Sequence, residues 1–413
     1  MIDFIVLSIL GIVIGLFAGL MPGMHVNTLI PIMLSVAGFL NLQPHHLAVL
    51  IVATAMSEIF FNFIPAIFLG APEEGTALSV LPGHRLLLEG RGYEAIKLTV
   101  IGGVGALISG LVFIFLLFPY FKTFYTLTRP YIHFAIMTVV LFMVFSERKP
   151  RKIISSIFII LLSGLFGLLV LNSQLLPQQQ LLFPVLTGMF GLSTLVTSIS
   201  ERSHLPQQTE DFSLKIFRKD MIKSIILGSI AGVAVGFLPA VGISEAATMV
   251  QYFGGTNEAR SFLVTLSGIN VGNEVFSLIS LYLLNNPRSG PSVAIQQILN
   301  ELNFYDVLLL IGVICFVSGI SALLTLYLGK KIPKILIRLD YKTLTFSVIV
   351  FICTMVFLLT GIAGMIILSI STAIGLLCAH LEIRRSHCMG VLLIPSICFF
   401  IGVNPLIISF LTD

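Results

Sequence analysis

Two glutamates stand where a carboxylate is least at home. Glu58 lies in VATAMSEIFFNFIPAIFLG (52–70) and Glu274 in SGINVGNEVFSLISLYLL (267–284), each alone in an apolar stretch. A carboxylate at membrane depth is costly unless it is paired, protonated or wetted. Both are therefore candidate sites for a coupling cation or a proton. Asn62, Asn270 and Asn273 fall within a turn or so and offer carbonyl oxygens as ligands. SEIF (57–60) matches NEVF (273–276), so the two carboxylates occupy equivalent places. A cap on a broken helix, or a position at the membrane interface, is the competing reading.

A second pair of motifs shows the same duplication. LGIVIGLFAGLMPGMHVNT (10–28) aligns without a gap on LGSIAGVAVGFLPAVGISE (227–245). Gly11, Gly15 and Gly19 fall on Gly228, Gly232 and Gly236, and Pro22 falls on Pro239. Glycines every fourth residue make one helix face smooth enough for close contact. The proline breaks that follow release backbone groups at membrane depth, which is tolerated only against protein or a wet cavity. A helix restarting there points its amino end, which attracts anions, into that cavity. The candidate solute-binding residues are Pro22, Gly23, His25, Asn27 and Thr28 in the first copy, and Pro239, Gly242, Ser244 and Glu245 in the second. A plain tight turn between two spans would use the same Pro-Gly; the duplication favours a site.

The elements that must hold these residues follow from composition. Of 413 residues, 57% are hydrophobic and 10% charged, with mean hydropathy +1.05. Soluble domains carry about a quarter charged residues, so the solvent is lipid. The reading is an all-α integral membrane protein of the cell membrane, multi-pass. Apolar runs lie near 4–20, 24–41, 48–69, 94–118, 131–146, 153–171 and 181–199. A second set lies near 221–238, 241–253, 260–284, 304–328, 343–360, 362–380 and 388–410. That gives a first repeat at 1–199, a polar linker at 200–220 and a second repeat at 221–413, with broken or re-entrant helices at the Pro-containing turns. No cleavable leader is read at the start.

Basic loops at 146–152, 215–220, 329–342 and 382–387 are all separated by even numbers of runs, so all four are cytoplasmic together and both ends lie outside. Equivalent loops of the two halves swap their charge, as inverted repeats require; parallel repeats are the alternative if one run in each half fails to span. The loop 119–130, with Lys122 and Arg129, is the exception. With no Trp, Tyr takes the interfacial role.

Other classes fare poorly. There is no Walker loop, HExxH, GxSxG or Cys-x-x-Cys, so no enzyme is expected. The five cysteines lack metal spacing and read as small buried hydrophobes. His45 and His46 read as an interfacial loop, and Glu73 and Glu74 as solvated. The net charge of +4 is spread over short loops and speaks to orientation, not to nucleic acid. No cofactor is expected beyond Na+ or H+ as coupling ion.

The Gly-spaced helix ending in Leu-x-Pro-Gly, followed by AIFLGAPEEGTALSVLPGHRLLLEGRGYEAIKLTVIGG (66–103), resembles the large membrane subunit of the tripartite tricarboxylate transporters, TctA. The likeness covers roughly 8–110 and 225–330. The family's Pro-Gly-x-Gly turn corresponds to Pro22–His25, its Pro-Gly-Glu-Pro loop to Ala71–Gly75, and its Gly-Tyr-Pro-x-Ala stretch to Gly83–Gly92. His25 replaces the turn's second Gly, Pro72-Glu73-Glu74 replaces Pro-Gly-Glu, and Ala240 replaces a Gly of the second turn. The resemblance implies a secondary transporter with a small membrane subunit and a solute-binding protein as partners; the departures leave the substrate open. The expected function is symport of an organic anion of the carboxylate class, in contact with membrane lipid. The alternative is a translocase for a lipid-linked phosphate such as polyprenyl phosphate, with His25, His84 and Arg85 suited to the headgroup. A membrane scaffold or intramembrane enzyme is the third class.

Overall fold

The computed structural model describes residues 2–21, 26, 29–30, 33–34, 42–71, 74–145, 147, 149–173, 176, 178–200, 208–209, 213–237, 242–255, 258–336 and 341–402. The first half holds α1 (Ile2–Leu20), α2 (Pro44–Phe61), α3 (Phe63–Phe68), a 3-10 segment Glu74–Ser79, α4 (Val80–Leu88), α5 (Gly92–Leu117), α6 (Phe121–Thr128), α7 (Ile132–Phe145), α8 (Pro150–Leu171), α9 (Gln178–Leu186), a π turn Thr187–Leu192 and α10 (Ser193–Ser200). The second holds α11 (Arg218–Phe237), α12 (Ile243–Phe253), α13 (Ala259–Leu284), α14 (Gly290–Leu299), α15 (Phe304–Leu336), α16 (Tyr341–His380), a 3-10 segment Arg385–Met389 and α17 (Gly390–Ile401). Among the described residues, eight helices are long and apolar enough to cross a membrane. Exposed Phe17, Phe115, Phe158, Leu323 and Phe357 give the bundle a rind suited to hydrocarbon, not water.

The sequence reading counts fourteen apolar runs; among the described residues eight helices are long enough to span, and the runs near 131–146, 181–199, 241–253 and 388–410 form shorter helices. The run at 48–69 is two helices jointed at Asn62, not one. The runs at 343–360 and 362–380 join end to end in α16, broken only at Gly361, whose φ of 62° and ψ of −155° are not helical. That backbone suits a residue without Cβ. Most of 24–41 lies outside the described residues. The described part of the polar linker is pinned to the bundle. The Gln208 side chain accepts from Gly92 N and donates to Leu87 O, and Thr209 N donates to Gly90 O.

The glycine stripes do what their spacing predicts. A Cβ on Gly11 would lie 2.5 Å from Ala53 Cβ, and one on Gly19 2.7 Å from Phe61 Cβ. α1 thus lies against α2, and runs the same way. A Cβ on Gly232 would lie 2.7 Å from Gly272 Cα, and one on Gly236 2.5 Å from Phe276 Cβ, so α11 lies along α13 likewise. Any larger residue would push these helices apart.

Directions of the two pairs follow from their neighbours. α5 runs with α13, since Gly102 meets Val264 and Gly110 meets Phe276. α15 begins beside the start of α2, where His45 Nε2 and Asp306 Oδ1 are 2.9 Å apart. It ends beside the start of α5, where Gly329 meets Ile96. Near its own start, Val307 shares an apolar cluster with Phe113, Ile114 and Phe276. α15 therefore runs with α2 and against α5 and α13. The α1–α2 pair points opposite to the α11–α13 pair.

Candidate functional site

The two isolated carboxylates sit on the two most enclosed spans. In Pro44–Phe68 and Ala259–Leu284, 94% of the most apolar window is buried, against 22–50% in the other six. Glu58 is 1% exposed and Glu274 is 7%. Gly103 of α5 approaches Phe60 and also Ser267 and Val271, all near 3.1 Å from a built Cβ. Phe60 is thus level with that turn of α13. Because α2 and α13 run in opposite directions, Glu58 and Glu274 differ in depth by only about one turn, ~5 Å.

Glu274 rests in a nest of serines. Ser289 Oγ donates to Glu274 Oε1 at 3.2 Å. Ser289 also caps the amino end of α14, accepting from Ser292 N at 3.3 Å. Ser277 Oγ accepts from Arg288 N at 3.1 Å and Ser289 N at 2.7 Å. Ser292 Oγ lies 2.9 Å from both Ser277 Oγ and Ser289 Oγ. The carboxylate thus accepts one hydroxyl bond, from a serine that itself caps a helix start. None of these serines was singled out from the sequence. Ser289-Gly290-Pro291-Ser292 is a legible helix-start signal, but nothing in it names Glu274 as neighbour.

Asn62 is the joint between α2 and α3 and is 5% exposed. Asn270 is 3% exposed, and its side chain donates to Leu266 O at 2.9 Å. Asn273 is half-buried beside Gly232. Glu245 and Ser244, 4% and 1% exposed, occupy the first turn of α12 behind Gly242, whose backbone is extended. α12 doubles back along α11, for a Cβ on Gly254 would lie 2.9 Å from Leu227 Cδ1. Its first turn is therefore level with the end of α11, beside Phe276. The 3-10 segment Glu74–Ser79 packs on both α12 and α13. Glu58, Glu245 and Glu274 thus gather at one level of the bundle. Pro22, Gly23, His25, Asn27, Thr28 and Pro239 lie outside the described residues.

Other charged groups serve the ends. Glu94 pairs with Arg91 and Arg260, the latter at 3.0 Å, and accepts from Lys215 N at 2.7 Å. His387 Nε2 lies 3.2 Å from Glu147 Oε1, and Lys152 Nζ lies 3.6 Å from Glu382. The latter contacts bring the basic loops 146–152 and 382–387 together. Arg385, another residue not foreseen, donates to Ser193 Oγ at 3.1 Å and to Thr194 Oγ1 beside the π turn. His84 is buried in α4, and burial holds its pKa below the usual value despite a bond to the Ile67 backbone. Arg85 pairs with Glu89 at the surface, 3.2 Å away. Among the described residues, no group of His, Cys, Asp and Glu could hold a metal.

The chain matches the model of the tripartite tricarboxylate transporter TctA family over residues 5–390. It belongs to that family. An uncharacterized protein of Methanocaldococcus jannaschii is 30% identical over 404 residues, covering 95% of this chain and 98% of that one. No solved structure matches. This TctA-family chain is a multi-pass membrane transporter and not an enzyme.

Proposed function

We propose that this TctA-family protein is a secondary transporter of an organic anion of the carboxylate class, driven by a cation or proton gradient. One observation carries the reading: two carboxylates, each the acidic residue of its span, stand at matching places, at nearly one depth, on the two most enclosed and oppositely directed spans. We read the chain as two inverted repeats, 1–199 and 221–413, joined by the linker 200–220. The opposed directions of the α1–α2 and α11–α13 pairs support this, as do the like seatings of their glycine stripes. In this reading the helix starts after Pro22 and Pro239, with His25, Asn27, Thr28, Gly242 and Ser244, cradle the anionic group. Glu58 and Glu274 with their neighbouring asparagines answer for the coupling ion. The family name speaks of a tripartite system; a small membrane subunit and a solute-binding protein are the partners proposed.

The test is uptake into vesicles carrying the full chain with its partners, using labelled di- and tricarboxylates. Glu58→Gln and Glu274→Gln should each abolish gradient-driven uptake while the protein still inserts and folds. Uptake at the unmutated rate in both variants refutes the roles.

A further inference from the structure

The hydroxyls beside Glu274 are wired in one direction. Ser277 Oγ accepts from two backbone donors, Arg288 N at 3.1 Å and Ser289 N at 2.7 Å. A serine oxygen has one proton to give and two acceptor positions. Both acceptor positions of Ser277 are therefore taken, and its proton has to be donated. Among the described residues its remaining neighbour is Ser292 Oγ, 2.9 Å away. Ser292 Oγ, having accepted that proton, donates its own to Ser289 Oγ at 2.9 Å. Ser289 Oγ also accepts from Ser292 N at 3.3 Å, which fills its acceptor positions. Its proton goes to Glu274 Oε1 at 3.2 Å.

Backbone N–H groups set this order, and an N–H cannot be turned round. Reversing the chain would aim a hydroxyl proton at Ser277, whose acceptor positions are occupied, and leaving a buried group unmet is costly. Ser277 and Ser292 are 0% and 1% exposed, so bulk water offers no other partner. Bonds aligned head to tail also strengthen one another. The chain belongs to the second copy alone. In the match of SEIF to NEVF, Ser277 falls on Phe61. In the match of PEEGTALS (72–79) to PRSGPSVA (287–294), Ser289 falls on Glu74 and Ser292 on Ala77. None of the three serines has a hydroxyl counterpart beside Glu58, so a folding need shared by both copies does not account for them.

A carboxyl group has two oxygens, and here one is committed. Glu274 Oε1 meets a hydroxyl that can only donate, so a proton on Oε1 would face the Ser289 proton head on. Glu274 Oε2 makes no hydrogen bond among the described residues. We propose that Ser277 is a positioning residue for Glu274: acting through Ser292 and Ser289, it reserves Oε1 as a standing acceptor, so that Glu274 takes its coupling proton on Oε2. The proton adds to a lone pair of Oε2, and Oε1 becomes the carbonyl oxygen that still accepts from Ser289. This rests on the coupled-transport reading and deepens it, naming the proton as what Glu274 binds and the atom that binds it.

The test is infrared difference spectroscopy of the purified full chain in detergent, acid against alkaline buffer, over the pH range in which the chain stays folded. Folding is followed by melting with a thiol-reactive dye, because Cys378 and Cys388 are buried and there is no Trp. The carboxylic C=O band of Glu274 is the one missing from Glu274→Gln. In the unmutated chain it should be a single band, lowered in wavenumber because Oε1 accepts a hydrogen bond. Ser289→Ala should raise it to the unbonded position; a proton on Oε1 would instead leave the carbonyl at Oε2 unbonded from the start. Ser277→Ala frees the chain to turn, and should add a second, higher band as the proton populates both oxygens. If Ser277→Ala does not fold, Ser289→Ala decides alone. The proposal is overturned if no Glu274 band appears, if Ser289→Ala leaves it in place, or if folded Ser277→Ala keeps the single low band. Bands that move as expected without any proton-driven carboxylate uptake keep the protonation site and sink the transport reading. Proton-driven uptake with a Glu274 band that ignores both serines does the reverse.

Discussion

Ser289→Ala probes whether the Ser289 hydroxyl bonds a charged Glu274. The residue does two jobs, as amino cap of α14 and as donor to Glu274 Oε1. Loss of a cap costs about 1 kcal/mol. Removing a donor from a buried, charged acceptor costs about 1.5–3 kcal/mol. The substitution should therefore destabilise by about 2.5–4 kcal/mol. Glu274→Gln replaces the charge by a neutral amide, whose need for that donor is smaller. In that background only the cap is lost, about 1 kcal/mol. At roughly 2 °C per kcal/mol for a chain of this size, Ser289→Ala should lower the dye-detected melting point by about 5–8 °C alone. In the Glu274→Gln background the drop should be about 2 °C. The four proteins form a double-mutant cycle with a coupling near 1.5–3 kcal/mol. Equal shifts in both backgrounds would mean that Ser289 acts only as a cap, and the bond to a charged Glu274 would carry no weight.

Gly232→Val places a Cβ 2.7 Å from Gly272 Cα; overpacking of about 1–3 kcal/mol should lower the melting point and impair uptake. An unchanged melting point would contradict the close seating of α11 on α13. His84 is held neutral by burial, its folded pKa below the unfolded 6.5, so its contribution is intact above that pH and fades as pH falls below it. His84→Gln should flatten the melting-point profile on the acid side only; no change there removes His84 from the acid response. Glu245→Gln removes a carboxylate from the amino end of α12. An anion held there should gain about 1 kcal/mol, roughly fivefold in half-saturating solute; weaker binding would move the anion elsewhere.

Much of this was legible because lipid makes polar residues conspicuous. Glu58 and Glu274 announced themselves by isolation, and the glycine stripes by period; the stripes lie against the helices their spacing calls for, while Glu274 is met by Ser289 and not by the asparagines named beside it. The joint at Asn62 was less plain. Pro65 lies in the FIPAIF stretch of an otherwise continuous apolar run, and periodicity alone does not say whether such a proline bends or breaks a helix. The buried hydroxyls of Ser318, Ser321 and Thr325 on α15, without a hydrogen-bond partner among the described residues, were invisible in principle. Ser and Thr are tolerated in membrane helices because their own backbone satisfies them, so only packing reveals three that are left unmet. The serine nest failed differently: Ser289 lies fifteen residues from Glu274, brought back by the turn into α14.

Charge balance links the parts. Glu58, Glu245 and Glu274 lie near one level in the best-buried part of the bundle. Two like charges 4 Å apart repel by about 4 kcal/mol at an effective dielectric of 20, and a carboxylate solute would add to that repulsion. A helix amino end offsets only about half a unit of charge, too little to admit a polyanion by itself. In the proposed reading the deficit is met by the coupling cation or proton, while Glu274 keeps the Ser289 hydroxyl as donor. Solute and cation then bind as one event because neither is stable there alone. In that reading coupling follows from the electrostatics of the level they share, without a separate gate to enforce it.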